Sequence, residues 1–546
     1  MWGVKKYFNK PRSRSTDNCE SSEFSLINAV KACDIRRIVH IYSMEKCEQK
    51  MWNASNDNLL HMAVSTENSL MVKTILLLYE KKCKFREKRN KQGLRPIDLA
   101  NKEIEEVFKQ WDGETNIMCE SQCNGTSNYK ESDMRKKLNS SILLQRLPHL
   151  SNKSKVLLSL DGGGIRGLAA IQILMKLEER LGMPIHDVVD WMAGTSTGAY
   201  ISIMIAQKRS LEDMRKIYLK FKGKVFRGMR PYNTLVLEKS LQEILGTELF
   251  THFEKPKIIV TTCKIYNNQP QLKLLRNYKT EKIKEDNSKK EDVDFDLMQT
   301  WEVGRCSSAA PTYFEPYKGF IDGGIMSNNP AMELLTEFFE HNYSRQIQKN
   351  LSKHENNGLD KIEQTQDSLN EKTAKITKDL WPTSICLNEE CSNENKSSDN
   401  CMEDIACVIS IGTGGWKGNI KVPEANAYSH NVNNNTHHNE PQRKNLIKKW
   451  VDLKGILPVF IRQLTASDGL PVERARAWCH SIGVPYFRIT ANHTDKLKLD
   501  DSNDISIIQM MWDTEIYLRT EGKSEINKLI HYLKLFCKIK QNSNSL

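Results

Sequence analysis

The chain has 546 residues, 39% of them hydrophobic and 27% charged, with 80 Lys and Arg against 68 Asp and Glu for a formal net charge of +12. That length allows roughly two to four domains, and the polar excess, with no apolar run of bilayer length, excludes a membrane-spanning chain. The positive charge favours an anionic partner. Without a zinc finger or a basic ribbon interleaved with aromatics, that partner is a lipid surface and no nucleic acid is expected.

The opening residues Met1 to Lys6 lack the apolar core of a secretory signal. They read as a frayed basic tail, with mitochondrial targeting as the alternative. The 14 cysteines are scattered, which predicts reduced thiols in a reducing compartment. Neither Cys119 and Cys123 nor the later cysteines find a second pair at ligand spacing, so no metal and no cofactor are expected.

Residues 20–110 read as helical and repetitive. Leu26-Ile27-Asn28-Ala29 is followed by Leu59-Leu60-His61-Met62-Ala63, and Asn90 to Gly93 leads a third copy, Arg95 to Ala100. This turn-then-helix pattern resembles ankyrin repeats, whose units bury their apolar faces only by stacking. Residues 111–150 are polar and predict a linker with one helix, around Ser141 to Leu147.

From residue 151 to 344 the pattern becomes strand, loop, helix. Val156 to Leu160 predicts a buried strand ending in the loop Asp161-Gly162-Gly163-Gly164-Ile165-Arg166-Gly167, and Leu168 to Leu181 a helix. Val188 to Ala193 predicts a second strand, stopping at Gly194-Thr195-Ser196-Thr197-Gly198, and Ala199 to Gln207 the helix after it. Lys257 to Thr262, Phe320 to Asp322 and Ile405 to Ile411 add strands, which together predict a mainly parallel α/β sheet. Polar inserts at 345–402 and 425–442 read as disordered. His437 and His438, in the second, could hold a metal and carry little weight. Residues 403–424 return to the catalytic domain, and 443–540 form its C-terminal part.

Three pieces carry chemistry. A G-x-S-x-G serine between strand and helix sits on a sharp turn that exposes its hydroxyl, with Gly194 and Gly198 making the turn feasible. The glycine loop offers backbone N–H groups to a developing oxyanion, at Gly162, Gly163 and Gly164, while Arg166 can hold the loop or meet a phosphate. The loop also matches G-x-G-x-x-G, a dinucleotide pattern that is weak alone and leaves the serine turn without a purpose. Gly412 to Gly415 predicts a structural turn near the site. For the base, His186 and His480 have no distinguishing setting. Asp322, at a strand end with Gly323 allowing close approach, is the better partner for Ser196 once burial raises its basicity.

The order DGGGIRG, GTSTG, DGG resembles the patatin-like phospholipases. Lys224 to Tyr232, Ser307 to Phe314 and Arg474 to Cys479 look like the group VI calcium-independent phospholipases A2 of the beta type, which carry ankyrin repeats ahead of the catalytic domain. The resemblance implies a three-layer α/β/α catalytic fold, Ser196 as nucleophile, Asp322 as base, and hydrolysis of sn-2 fatty-acyl esters of glycerophospholipids without calcium. A lysophospholipase or neutral-lipid acylhydrolase with the same dyad, and a non-catalytic ankyrin scaffold on membranes, are the rival readings. The short repeat array leaves oligomerisation open.

Finally, residues 443–466 predict a basic amphipathic helix, with Trp450, Leu457, Phe460 and Ile461 on its apolar face and Pro458 kinking or ending it. Its pattern fits an anionic lipid surface or calmodulin, and equally a helix packed on the core. A cytoplasmic protein peripherally associated with membranes is the expected location, with mitochondrial association as the variant.

Overall fold

The computed structural model describes residues 25–44, 51–114, 126–267, 269–279, 297–356, 403–416, 468–495 and 497–544. They divide into two compact units, one of residues 1–114 with 503–512 and one of 115–502 with 513–546.

The first unit is helical. Short helices pair as Leu26–Lys31 with Ile35–Ser43 and Leu59–Val64 with Ser69–Ile75, and a 3-10 turn at Pro96–Leu99 precedes Lys102–Asp112. Asp34, Asn58, Asn68 and Asn101 each cap a helix by accepting backbone N–H groups that have no partner in the first turn. Equivalent positions of successive units touch. The Asn90 side chain donates to Asp57, 33 residues away, at 2.8 Å, and His61 Nε2 meets the Leu94 carbonyl at the same separation and 2.9 Å.

The second unit is built on a seven-stranded sheet of order β4-β3-β2-β1-β6-β8, with β5 also paired to β3. The strands are β1 (Lys155–Leu160), β2 (Trp191–Thr195), β3 (Lys257–Tyr266), β4 (Gln269–Arg276), β5 (Phe320–Asp322), β6 (Ile405–Ile411) and β8 (Tyr486–Ile489). The pairs β1–β2, β2–β3, β1–β6 and β6–β8 are parallel, and β4 and β5 run antiparallel to β3. A small parallel pair, β7 (Gly415–Trp416) with β9 (Asn492–His493), lies beside it.

Both faces of the sheet are covered, so β1 reads as continuous apolar residues rather than alternating ones. Val156, Leu158 and Leu160 join the core of the helices Gly167–Leu181, Thr197–Ala206 and Lys523–Asn544. Leu157 joins Trp191, Ala193 and Ile259 under the helices Ala331–Asn356 and Leu470–Ser481. This is the expected three-layer α/β/α arrangement. The chain starts at β1, moves out to β3, and returns to β1's other side as β6. Parallel sheets bind ligands at such a reversal, outside the carboxyl ends of the strands.

Several expectations shift. The helix expected around Ser141–Leu147 runs from Thr126 to Arg146. Val188 closes a helical turn, Ile185–Val188, that follows Pro184, and the second strand begins only at Trp191. The insert expected from 345 begins inside a helix, because no proline or glycine interrupts Ala331–Asn356. The second insert, His437, His438, and the candidate helix with Trp450, Leu457, Phe460 and Ile461 lie outside the described residues.

Candidate active site

Strand β2 is buried along its whole length and hands the chain directly to Ser196. Ser196 has φ +52° and ψ −114°, outside the regions where a side chain sits comfortably, a strain of about 1–3 kcal/mol that only surrounding structure can hold. The holding groups are visible. The Ser307 hydroxyl accepts the Ser196 N–H at 2.8 Å. Thr195 Oγ1 donates to the Ser327 carbonyl at 2.8 Å. The Ser196 carbonyl accepts the Ala199 N–H at 3.0 Å, starting the helix Thr197–Ala206. Glycines flank the serine because the turn is closed on itself: a Cβ on Gly194 would stand 2.5 Å from the Gly198 carbonyl carbon.

Asp322 reaches Ser196 through β3. On one edge of β3, β4 pairs from Ile259 to Tyr266. On the other, β2 pairs as far as Thr195 opposite Thr261, and β5 takes over with Asp322 opposite Thr262. The two strands therefore abut end to end, which sets Ser196, the residue after β2, near Asp322, the last of β5. The Ser196 and Asp322 side chains face one cavity, and the Asp322 Oδ1 accepts the Gly324 N–H at 2.7 Å. Burial pushes its pKa up to about 6, against the lowering pull of the Gly324 N–H and the Ser196 hydroxyl. Gly323 packs its Cα against the Thr261 carbonyl, where a side chain would collide.

The glycine loop lies across the same site, and its three glycines differ. The Gly162 N–H is already bound to the Asn328 carbonyl at 3.1 Å, so it is not an oxyanion donor as expected. The N–H groups of Gly163 and Gly164 have no partner among the described residues. Gly164 has φ +57° and abuts the Leu499 carbonyl, which also accepts the Ile165 N–H at 2.8 Å. Close protein neighbours, rather than a pyrophosphate, account for the glycines of the dinucleotide-like pattern. Arg166 holds the loop through Nε to the Gly163 carbonyl at 3.4 Å, and burial draws its pKa down to about 10. Thr413, in the turn expected near the site, donates to the Gly162 carbonyl at 2.9 Å.

Sequence reading missed the groups that anchor this loop. Asp161 is fully buried and paired with Arg488 of β8, Nη2 to Oδ2 at 2.6 Å and Nη1 to Oδ1 at 3.1 Å. Asn329 donates to the same carboxylate at 2.8 Å and to Ser410 at 2.9 Å. The carboxylate keeps the buried guanidinium charged. The partial signal was the aspartate opening DGGG; nothing local marks Arg488 as its partner.

Ser196, Asp322, Gly163 and Gly164 open on one cavity of about 200 Å³. Its wall is apolar, from Met204, Ile217, Phe221, Leu237, Leu241 and Ile244 among others, and no histidine lines it. His186 and His480, on helices elsewhere, do not join the site. At one side Arg230 stacks on the Tyr313 ring at 4.0 Å and binds Asp500 through Nε at 2.7 Å, next to Leu499 of the wall.

Comparison with known proteins matches residues 158–335 to the patatin-like phospholipases. Over 385 residues, 70% of this chain, it is 32% identical to an intracellular phospholipase A2 of Caenorhabditis elegans, and it covers 29% of that protein. Over 385 residues it is 31% identical to the 85/88 kDa calcium-independent phospholipase A2 of Rattus norvegicus, covering 69% of this chain and 40% of the relative. A cGAMP-activated phospholipase of Vibrio cholerae is 27% identical over 222 residues, 35% of this chain and 59% of the relative. The chain thus spans well under half the length of the first two relatives.

Proposed function

We propose, for a chain that carries a patatin-like phospholipase domain at residues 158–335, that it is a calcium-independent phospholipase A2 releasing the sn-2 fatty acid of glycerophospholipids. The observation that carries this reading is the placing of Ser196 beside the buried Asp322 carboxylate in one apolar cavity. A carboxylate with pKa near 6 is a usable base at neutral pH. Asp322 takes the hydroxyl proton as Ser196 Oγ attacks the ester carbonyl. The carbonyl oxygen becomes an oxyanion facing the Gly163 and Gly164 N–H groups, where each well-placed donor contributes about 3–4 kcal/mol. The positive end of the helix Thr197–Ala206 adds to this field. Asp322 returns the proton to the departing lysophospholipid alcohol, leaving an acyl-serine. Water, deprotonated by the same carboxylate, then attacks the acyl carbonyl, and the proton returns to Ser196 Oγ as the fatty acid leaves. The acyl chain occupies the apolar cavity.

Around this core the reading includes an ankyrin-like array in the first unit, supported by the 33-residue contacts, and peripheral association with membranes from the cytoplasm, supported by the net charge of +12. Segment 443–466 is the proposed contact for anionic lipid or calmodulin.

The test is release of labelled fatty acid from the sn-2 position of phosphatidylcholine in excess chelator. Ser196→Ala and Asp322→Asn should each lower it by about 10³-fold or more. Undiminished release by both variants places the chemistry elsewhere. Release only from lysophospholipid or triacylglycerol assigns the dyad to those esters. No release from any lipid leaves the scaffold reading.

A further inference from the structure

Ser307 is the last residue of the helix Thr300–Ser307 and is fully buried. Its hydroxyl carries one proton, which goes to the Thr261 carbonyl at 2.7 Å, so its lone pair is what accepts the Ser196 N–H at 2.8 Å. Its own carbonyl accepts the Gly323 N–H at 3.3 Å, and two residues on the Ala309 carbonyl accepts the Asp322 N–H at 3.0 Å. One short segment thus grips the backbone of the nucleophile with a side chain and the backbone of the base with carbonyls, while Thr261 ties both to β3.

We infer that Ser307 is the positioning residue of the dyad, holding the Ser196 turn at the separation from Asp322 that lets the hydroxyl hydrogen-bond the carboxylate. The inference rests on the Ser196–Asp322 reading above. The Ser196 backbone is strained, and strain persists only where neighbours over-determine it. The Ser307 hydroxyl satisfies the part-buried N–H of the strained residue. Without it, that N–H and the Thr261 carbonyl both lose a partner, and the turn is driven to rotate in search of another. A displacement of the hydroxyl by about 1 Å is enough for a loss on the order of 100-fold in rate. It also removes the bond that lowers the Asp322 pKa, so the carboxylate titrates higher.

The experiment is the rate of Ser196 phosphonylation by an alkyl fluorophosphonate, in which the Oγ–P bond forms and fluoride leaves, measured on the full chain from pH 5 to 8 and normalised to the sites finally labelled. In Ser307→Ala the rate constant should fall about 10- to 100-fold, and the acid limb should move to higher pH than wild type. Lipid assays should show the loss in kcat with KM little changed. Ser307→Thr, which keeps the hydroxyl, should restore both the rate and the limb.

A Ser307→Ala protein with fewer labelled sites but an unchanged rate constant and limb has lost only folded molecules, and overturns the inference. If Ser307→Ala does not fold, Ser307→Thr decides, since a folded Ser307→Thr protein that labels about 10- to 100-fold more slowly than wild type overturns it equally. Failure of the underlying dyad is separable: there, Asp322→Asn leaves phosphonylation unchanged, or label appears on a residue other than Ser196.

Discussion

Burial of Asp322 ties activity and stability to the same proton in opposite directions. As the proposed base it works ionised, so kcat/KM should fall about tenfold per unit as pH drops below about 6. A pH–rate profile with no acid limb near that value would remove Asp322 from the role. For stability the sign reverses. The folded-state pKa is raised from 3.8 to about 6, so the folded chain holds its proton longer than the unfolded one. Stability falls as pH rises through that window, by on the order of 2–3 kcal/mol. Asp322→Asn should therefore raise the melting temperature at pH 8 and not at pH 4, checked by calorimetry. The Arg488–Asp161 pair behaves differently, because removing one partner strands a buried charge. Arg488→Met should destabilise by about 3–5 kcal/mol, read by urea unfolding. At this scale Ser196, Asp322, Gly163 and Gly164, proposed as nucleophile, base and oxyanion donors, were legible as candidates, since each sits in a short motif with a chemical reason for its residue type. Arg488, Asn329 and Ser307 were not. They act through partners far away in the chain, and the loss of the Gly162 N–H to Asn328 is settled by the same kind of distant contact.

Among the elements, β3 does most to assemble the site. It aligns β2 and β5 along one edge, and the changeover falls between Thr261 and Thr262. The Thr262 hydroxyl lies 3.0 Å from both the Cys306 and Ile321 carbonyls, fastening the serine-bearing helix end and β5 to the same point. Thr262→Val keeps the shape and removes that donor. It should cost about 1–3 kcal/mol in unfolding free energy and lower kcat for ester release more than it alters KM. Equal kcat in the two proteins would show that the changeover does not depend on this hydroxyl. The sequence indicated β1, β2, β3, β5 and β6, because buried parallel strands read as compact apolar runs. It could not indicate that β2 and β5 share an edge, which is a matter of pairing and register. Nor did it locate the start of Thr126–Arg146, where polar residues leave no apolar stripe to read.

For the molecule as a whole, the proposed function gives the apolar cavity the acyl chain and the net positive charge an anionic lipid surface. An apolar wall suits an acyl chain, and its depth should limit chain length. Ile217 lines it and is only partly buried. Ile217→Trp should shift preference toward shorter sn-2 chains, measured by competition between labelled lipids of different length. An unchanged preference would place the chain elsewhere. The net charge of +12 predicts binding to vesicles containing phosphatidylserine that weakens as salt rises from 0.05 to 0.5 M. No helix among the described residues is long and apolar enough to cross a membrane. The change from helical to strand-loop-helix periodicity was legible along the chain, whereas the place of residues 503–512 in the first unit, expected in the C-terminal part of the second, is set by contacts far apart in sequence.

The shortness of β5 has a consequence for how the molecule fails. It is three residues long and joins the sheet through three pairings, while β1 is paired on both edges from Leu157 to Leu160. Small peripheral pieces open at lower free energy than central ones. Deuterium should therefore enter the amides of Asp322 and Gly323 well before those of Leu157 and Leu158. Mild denaturant should extinguish turnover while the far-ultraviolet spectrum still reports an intact sheet. The chemistry is lost by the detachment of one short ribbon, at a concentration the rest of the fold survives.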